Sequence, residues 1–345
     1  MTEWRYIAAF AAHFSRCGLR PDEVVAILSE TQSRSVLVET ARLAAQSLGA
    51  AAYDVVVATP ASSHPVPIRS TGASQAIAGN RGVIAALASA DLVIDCTVEG
   101  LLHAPELGQI LNGGARVLMV SNEHPDTFDR IAWDPDLPRR VELGHSWLRA
   151  AATMSVTSAA GTDLTVRLGD AVTAGSTGVT AGPGSIAHWP GGLVLAFPAA
   201  GAVEGTIVLA PGDINLTFNR YFESAVTLTI ERDHIVNIAG EGVDAALFRS
   251  YLAAFGDRES YATSHLGWGM NPFARWDYLE LYDKRDMWGT EARAFAGNFL
   301  YSTGANEHAG RFTAGHFDLP MRGCTVRLDD RVVVEGGELV SDLRP

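Results

Sequence analysis

A histidine and an aspartate stand two positions apart in the run Thr313–Pro320, at His316 and Asp318. In an extended strand, residues i and i+2 point to the same side, so the imidazole and the carboxylate would project together. Two histidines and one carboxylate on one face of a metal form the site of non-haem Fe(II) oxygenases. The alternative is a partly buried His–Asp hydrogen bond, which is an ordinary structural feature.

His265 is the best candidate for the third ligand. It lies in the run S-H-L-G-W-G-M-N-P over residues 264–272, whose glycines permit the close backbone approach that binding loops need. A loop histidine that hydrogen-bonds a backbone carbonyl is the competing interpretation. Ser302, in the run Y-S-T-G-A-N, has the pattern of a hydroxyl at a strand end or turn.

Other catalytic patterns are missing from the sequence. There is no G-x-S-x-G elbow for a serine nucleophile and no H-E-x-x-H for a zincin-type metalloprotease. No G-x-G-x-x-G or G-x-x-x-x-G-K-[ST] follows an expected strand, so no nucleotide site is predicted.

The composition is that of a compact globular protein. Of 345 residues, 47% are hydrophobic and 19% charged, and this length suits about two domains. With 26 basic and 39 acidic side chains, the net charge of −13 disfavours binding to nucleic acid or to an anionic membrane.

The sequence predicts a cytoplasmic protein. Three widely spaced cysteines suggest neither a disulfide framework nor a structural zinc site. The N-terminal residues lack the basic and apolar regions of a signal peptide, and no apolar window is long enough to span a bilayer.

The first part of the chain predicts an α/β domain over residues 1–150. Residues 1–50 are expected to be helical, with one helix beginning near Pro21 and running through Val24–Leu28, and another over Ser35–Leu48. Apolar strands follow at about 53–59, 91–96 and 115–120, and alternate with helices at about 75–90 and 106–111. This order predicts a mostly parallel sheet with helices on both faces.

Two histidines follow strands of this expected sheet, His103 and His124. Ligands of such sheets gather beyond the carboxyl ends of the strands, where a cleft between domains would open. His103 is the better candidate, because Leu101 and Leu102 could give it an apolar wall. His188, just before a Trp-Pro pair, could also face this cleft, although an ordinary loop histidine is the competing interpretation.

The second part, residues 151–345, predicts a β-rich domain that carries the metal-binding residues. Polar and apolar residues alternate at 163–168, as in a half-buried strand. Further strands are expected at 192–198, 205–209 and 224–231, a helix at 243–255 and a closing hairpin at 327–340.

Two runs carry a family resemblance. E-S-Y-A-T-S-H-L-G-W-G-M-N-P at 259–272 and G-H-F-D at 315–318 resemble the 2,5-dihydroxypyridine 5,6-dioxygenases, ring-cleaving enzymes that share a fold with the aminopeptidase T-type metallopeptidases. Where those peptidases carry metal-binding glutamates, this chain has Leu193 and His265. Carboxylate clusters suit two divalent ions for hydrolysis, whereas two imidazoles and one carboxylate suit one Fe(II) with open positions.

The resemblance implies a ligand set for Fe(II) and a substrate pocket. The ligands would be His265, His316 and Asp318, with Ser302 as a weaker oxygen ligand. Leu102 and His103 match positions that line the pocket, and His103 would orient and deprotonate a ring hydroxyl. The expected substrates are 2,5-dihydroxypyridine, or a close hydroxypyridine, and O2, and the expected product is N-formylmaleamate.

The sequence leaves two alternatives open. The first is a metallo-aminopeptidase of the same fold, which would use Zn, Co or Mn. The second is a non-catalytic small-molecule binding protein whose His–Asp pair is structural. The resemblance also implies a homo-oligomer.

Overall fold

The structure is a computed structural model and describes residues 2–61 and 74–345. Its helices are α1 (Trp4–Arg16), α2 (Ser35–Ser47), α3 (Arg81–Ala88), α4 (Leu107–Asn112), α5 (Pro125–Arg130), α6 (Leu137–Ala150), α7 (Gly242–Ala254) and α8 (Thr290–Ala294). The strands up to residue 197 are β1 (Val24–Glu30), β2 (Ala51–Val57), β3 (Leu92–Asp95), β4 (Arg116–Met119), β5 (Thr153–Ser158), β6 (Asp163–Arg167), β7 (Val172–Ser176), β8 (Ile186–His188) and β9 (Leu193–Phe197). The later strands are β10 (Val203–Leu209), β11 (Ile214–Asn215), β12 (Arg220–Tyr221), β13 (Val226–Glu231), β14 (His234–Ala239), β15 (Thr263–Gly269), β16 (Phe299–Asn306), β17 (Arg311–Met321), β18 (Cys324–Leu328), β19 (Arg331–Glu335) and β20 (Glu338–Leu339).

A parallel sheet organises the first part of the chain. Its strand order is β2-β1-β3-β4-β8, and every neighbouring pair is parallel. Side chains of β1 alternate between two hydrophobic cores: Val25 and Ile27 join the core beneath α1 and α2, and Ala26 and Leu28 join the core on the other face. The predicted parallel sheet with both faces covered is confirmed.

The helix expected through Val24–Leu28 is wrong, because these residues form β1, which lies between β2 and β3. A continuous apolar run suits a parallel strand that is buried on both faces as well as it suits a buried helix. The β-branched side chains of Val24, Val25 and Ile27 favour the extended backbone. Pro21 therefore precedes a strand rather than beginning a helix.

The second part is built mainly from two antiparallel sheets, as the β-rich prediction expected, and β11 and β12 form a small antiparallel pair. An eight-stranded sheet has the order β14-β13-β10-β6-β5-β18-β19-β20, and a five-stranded sheet has the order β17-β16-β15-β9-β7. The largest hydrophobic core contains side chains from both sheets, among them Val156 and Leu228 from the first and Trp268, Tyr301 and Phe317 from the second. The five-stranded sheet therefore has one face in this core and another face available for a site.

The chain returns to the parallel sheet after residue 150. Strand β8 pairs with β4 in parallel, with Met119 opposite His188. The next strand, β9, belongs to the five-stranded sheet. This return brings the carboxyl ends of the parallel strands close to the free face of the five-stranded sheet. The division at residue 150 stays a prediction.

Cys17, Cys96 and Cys324 are all buried and free. Across residues 2–61 and 74–345, no helix is both long enough and apolar enough to cross a membrane.

Acid is expected to destabilise the fold partly through His13. This side chain is buried in α1, its Nε2 lies 2.8 Å from the Gly178 carbonyl oxygen, and burial lowers its pKa from 6.5 to about 4. A histidine whose folded-state pKa is depressed loses its contribution to stability as pH falls from its unfolded value through its folded value, here from 6.5 to about 4. The effect is on the order of 3 kcal/mol.

We therefore expect His13→Gln, which can still donate to the Gly178 carbonyl, to flatten the pH dependence of unfolding between pH 6.5 and 4. Urea unfolding at a series of pH values measures it, with the exposed His308→Gln as the control. An unchanged slope would contradict the assignment.

Candidate metal centre and substrate cavity

The four side chains predicted as ligands lie on three adjacent strands of the five-stranded sheet. His265 is on β15, Ser302 on β16, and His316 and Asp318 on β17. In the register of β16 and β17, Ser302 stands directly opposite Asp318, and Gly304 stands opposite His316. We call His265, Ser302, His316 and Asp318 the ligand cluster.

Strand alternation brings these side chains to one face. On β17, Phe317 and Leu319 enter the main core, so His316 and Asp318 project from the opposite face. This is the same-side arrangement that the H-x-D spacing predicted. On β16, Tyr301 likewise enters the core, so its neighbour Ser302 projects from the opposite face.

The expectation that His265 lies in a loop is wrong, because it is within strand β15 and is buried. The close backbone approach expected at the surrounding glycines is present, but in a strand rather than a loop. A Cβ added at Gly267 would lie 1.9 Å from the Val194 carbonyl oxygen, and one at Gly269 would lie 2.2 Å from that of Phe295. These glycines therefore let neighbouring backbone approach closely. Ser302 is also within its strand, rather than at a strand end or turn.

The polar atoms of the ligand cluster converge on one point. His265, His316 and Asp318 each offer one atom within 4.8 Å of the other two. The Asp318 Oδ1 lies 3.1 Å from His316 Nε2 and 3.6 Å from His265 Nε2. The Ser302 hydroxyl lies 3.0 Å from His265 Nε2 and is also hydrogen-bonded to Asp318 Oδ1.

The ligand cluster has fewer protons than hydrogen-bond acceptors, which suits a cation. Ser264 donates its hydroxyl proton to the Ala305 carbonyl, so it can only accept from His265 Nδ1, 3.1 Å away. The proton of His265 is therefore on Nδ1, and the lone pair of Nε2 faces Ser302 and Asp318. Ser302 has one hydroxyl proton for these two acceptors. The cluster thus holds a lone pair in excess, which is the arrangement a metal ion fills.

The protonation states also fit a metal. Burial would raise the pKa of the Asp318 carboxyl, but the Arg293 guanidinium and then His316 hold it well below its usual value. Burial lowers the pKa of His265 to about 3, against the opposing charge of Asp318. An ionised carboxylate and a neutral imidazole are the forms that bind metal ions.

A cavity of about 150 Å³ lies beside the ligand cluster. Its walls come from the free face of the five-stranded sheet and from the loops at the carboxyl ends of the parallel strands. The apolar part of the wall is formed by Met119, Ile186, Leu193, Leu195, Phe197, Leu300 and Trp288. We call this space the substrate cavity, since its lining is mostly apolar with a few convergent polar groups.

His103 lies at the edge of the ligand cluster, on the loop after β3. Its ring centroid is 5.8 Å from that of His265 and 5.6 Å from that of His316. Its Nδ1 is 3.4 Å from Glu307 Oε1. Burial acts to raise the pKa of Glu307, but the hydrogen bond from His103, and the positive charge of that ring when it is protonated, lower this pKa on balance. A carboxylate only accepts hydrogen bonds, so Nδ1 carries a proton and Nε2 is left to accept one.

Two further predicted residues line the substrate cavity, Leu102 and His188. Leu102 is 38% exposed, which suits a position at the mouth of the cavity. The Nε2 of His188 is buried and has no hydrogen-bond partner in the part of the chain that the structure describes. Burial lowers the pKa of His188 to about 3, so the ring is neutral at physiological pH. His124, by contrast, caps α5 by accepting from the Asp126 N–H and is not among the cavity residues.

Sequence reasoning missed Trp288, Arg293 and Glu307. Arg293 donates from Nε to Asp318 Oδ2 over 2.6 Å, and its guanidinium lies 4.2 Å from the Trp288 ring centroid. An arginine in a five-residue helix and a glutamate in a turn carry no sequence pattern that indicates a site. Only their spatial neighbours reveal them.

Comparisons with known proteins show the family of this chain. A sequence model of the 2,5-dihydroxypyridine 5,6-dioxygenase family matches residues 5–341. The 2,5-dihydroxypyridine 5,6-dioxygenase of Pseudomonas putida strain KT2440 is 39% identical over 330 residues, which cover 93% of each chain. The solved structure of 2,5-dihydroxypyridine dioxygenase from P. putida KT2440 superposes with a TM-score of 0.90 at 36% identity, covering 99% of this chain and 98% of that one.

A more distant structure shares the fold alone. AmpT from Thermus thermophilus superposes with a TM-score of 0.64 at 15% identity, covering 98% of this chain and 99% of that one. The dioxygenase matches, in contrast, combine coverage of nearly the whole chain with 36% and 39% sequence identity. This chain is thus an enzyme that belongs to the 2,5-dihydroxypyridine 5,6-dioxygenase family.

Proposed function

We propose that this enzyme cleaves the ring of 2,5-dihydroxypyridine, or of a close hydroxypyridine, with O2 and Fe(II) to give N-formylmaleamate. The observation that carries the proposal is the convergence of two imidazoles and one carboxylate on a buried point beside an apolar cavity. His265, His316 and Asp318 hold the metal, and Ser302 is a weaker oxygen ligand. This donor set is the facial triad of non-haem Fe(II) oxygenases.

The metal and the protein have separate tasks. When bound, Fe(II) supplies the redox chemistry that allows O2 to react with an electron-rich ring. The protein binds the ring, orients it and removes a proton from it. The wall formed by Leu193, Leu195, Phe197 and Leu300 excludes water from the site.

His103 is the base of the reaction. Its Nδ1 faces Glu307, so Nε2 is the nitrogen that accepts the proton of a ring hydroxyl. Removing this proton raises the electron density of the ring, which favours its reaction with O2. The Glu307 carboxylate stabilises the imidazolium that forms and fixes the ring orientation of His103.

His188 and Leu102 place the substrate. The unpartnered Nε2 of His188 is a buried polar atom in the cavity wall, so a polar group of the substrate is its natural partner. Leu102 covers one side of the ring at the mouth of the cavity. A volume of about 150 Å³ suits a single aromatic ring.

The overall reaction is balanced without another reductant. The C5–C6 bond of the ring breaks, and both atoms of O2 enter the product. The hydroxyl proton taken by His103 returns to the solvent or the product at the end of the cycle.

Oxygen uptake tests the proposal directly. We expect the protein, reconstituted anaerobically with Fe(II), to consume O2 in proportion to the loss of added 2,5-dihydroxypyridine. An oxygen electrode and the ultraviolet absorbance of the substrate measure the two quantities together, and protein without added iron is the control. Bound iron without uptake would point to a different hydroxypyridine. Failure to bind iron would contradict the proposed ligands.

The proposed homo-oligomer and cytoplasmic location remain predictions. Size-exclusion chromatography with light scattering measures the oligomeric state.

A further inference from the structure

The two oxygens of Asp318 have different surroundings. Oδ1 faces the other members of the ligand cluster, with His316 Nε2 at 3.1 Å and a hydrogen bond from Ser302. Oδ2 instead accepts the Nε–H of Arg293 at 2.6 Å. One oxygen of the Asp318 carboxylate therefore faces the proposed metal site, and the other pairs with the Arg293 guanidinium.

Arg293 is held in this position from several sides. Its Nη1 donates to the Trp288 carbonyl oxygen at 3.0 Å, and its guanidinium packs on the Trp288 ring. The Asn298 side-chain amide donates to the Arg293 carbonyl at 3.1 Å. Only 13% of the Arg293 side chain is exposed, so it lacks room to swing away from Asp318.

The Trp288 that supports Arg293 is itself anchored to the first part of the chain. Its Nε1 donates to the Val98 carbonyl at 2.8 Å, and its backbone N–H donates to Glu123 at 3.3 Å. The second Glu123 oxygen accepts the Thr290 N–H at 3.3 Å. The segment that carries Arg293 is thus attached, on its N-terminal side, to the loops that follow β3 and β4.

We propose that Arg293 is a positioning residue that restricts Asp318 to binding the metal through Oδ1 alone. The inference rests on the proposed metal ligands. A carboxylate that used both oxygens would occupy a coordination position that the facial triad otherwise leaves open. By engaging Oδ2, Arg293 keeps that position available for the substrate or O2.

Two substitutions of Arg293 form a matched pair. The amide nitrogen of glutamine and the terminal methyl of methionine stand the same number of bonds from Cα as the arginine Nε. Arg293→Gln therefore keeps a donor where Oδ2 needs one, and Arg293→Met removes it. Both variants lose the positive charge and the contact of the guanidinium with Trp288, so any difference between them reports on the donor.

Co(II) titrated anaerobically into the metal-free protein is the probe, because its visible absorption weakens as its coordination number rises. We expect Arg293→Met to bind Co(II) at least as tightly as the parent, with a weaker visible band. Loaded with Fe(II), this variant should turn over about 10- to 100-fold more slowly, as is typical when a group behind a ligand is lost. Arg293→Gln should keep the parent's band and recover most of the turnover.

Arg116→Met is the control for losing a buried arginine. Arg116 also donates to a carboxylate, that of Glu23 at 2.6 Å, and to a carbonyl, that of Cys17 at 2.7 Å, but it is at the opposite end of β4 from the cavity. This variant should keep the parent's Co(II) band. Circular dichroism and thermal unfolding of the metal-free proteins compare their folds.

The outcomes separate this inference from the proposed function. A parent-like band in Arg293→Met, or a weakened band in Arg293→Gln, would overturn the role of Arg293 alone. If Arg293→Met does not fold, the band of Arg293→Gln decides by itself, since the inference requires it to match the parent. If the parent does not bind Co(II), or if His316→Ala binds it with the parent's band, the ligand set is wrong and both proposals fail.

Discussion

Asp318→Asn is expected to abolish metal binding and to lower turnover by more than about 100-fold, since losing a group behind a ligand already costs 10- to 100-fold. Arg293 determines the orientation of the new side-chain amide. Its Nε–H requires an acceptor at 2.6 Å, so the amide oxygen takes the place of Oδ2 and the NH2 group takes the place of Oδ1. The NH2 group then donates towards His265 and Ser302 and offers the metal no lone pair.

The iron content after anaerobic reconstitution and the oxygen-uptake rate measure this effect. Asp233→Asn is the matched control, because Asp233 is also buried and paired with an arginine, Arg311, at 2.8 Å. The control variant should lose stability but keep its iron. Asp318→Ala should also lose the iron and, in addition, leave Arg293 as an unpaired buried charge, which costs about 3–5 kcal/mol of stability.

His316→Ala tests another member of the same proposed ligand set. It removes one imidazole and leaves the Asp318–Arg293 pair intact, so we expect loss of iron with a smaller loss of stability than in Asp318→Ala. Full turnover with bound iron in either alanine variant would show that the proposed triad is wrong.

The second large effect is expected at His103. His103→Gln should keep its iron and lose turnover by about 100- to 10,000-fold, the usual contribution of a positioned general base. The ring lies beside His265 and His316, at 5.8 and 5.6 Å between centroids, yet it belongs to a separate loop and is not part of the ligand cluster. Glutamine keeps a side-chain amide that can donate a hydrogen bond, but unlike the imidazole it does not accept a proton.

Metal analysis, combined with kcat and KM for the hydroxypyridine, separates a base from a ligand. His308→Gln is the control, since His308 is a nearby exposed histidine whose ring packs edge-on against Phe197 at 5.4 Å. Loss of iron in His103→Gln would make His103 a ligand or a structural support of the cluster. Unchanged turnover would assign proton removal to another group.

Local sequence patterns predicted much of the site. The alternation of side chains along a strand is a property of the backbone itself, so the H-x-D spacing of His316 and Asp318 was enough to predict that they share a face. The position of His103 beyond a parallel strand likewise followed from the order of elements, since carboxyl ends of such strands meet at one edge.

Local patterns predicted the wrong element where the same residues suit two kinds of secondary structure. The run Val24–Leu28 is apolar enough for a buried helix, and its β-branched residues together with its place between β2 and β3 make it a strand. Gly267 and Gly269 were expected to permit close backbone approach in a binding loop, whereas they permit it within strand β15. A sequence does not state which neighbour a glycine will meet.

Residue types and spacing by themselves determined the order of α/β and β-rich parts and the shared face of His316 and Asp318, two of the proposed ligands. The tertiary structure decided which distant groups surround them. Arg293 meets Asp318, and Glu307 meets His103, because separate segments pack around one cavity. Such contacts depend on strand register and on the packing of whole sheets, which are long-range properties that no local window of sequence contains.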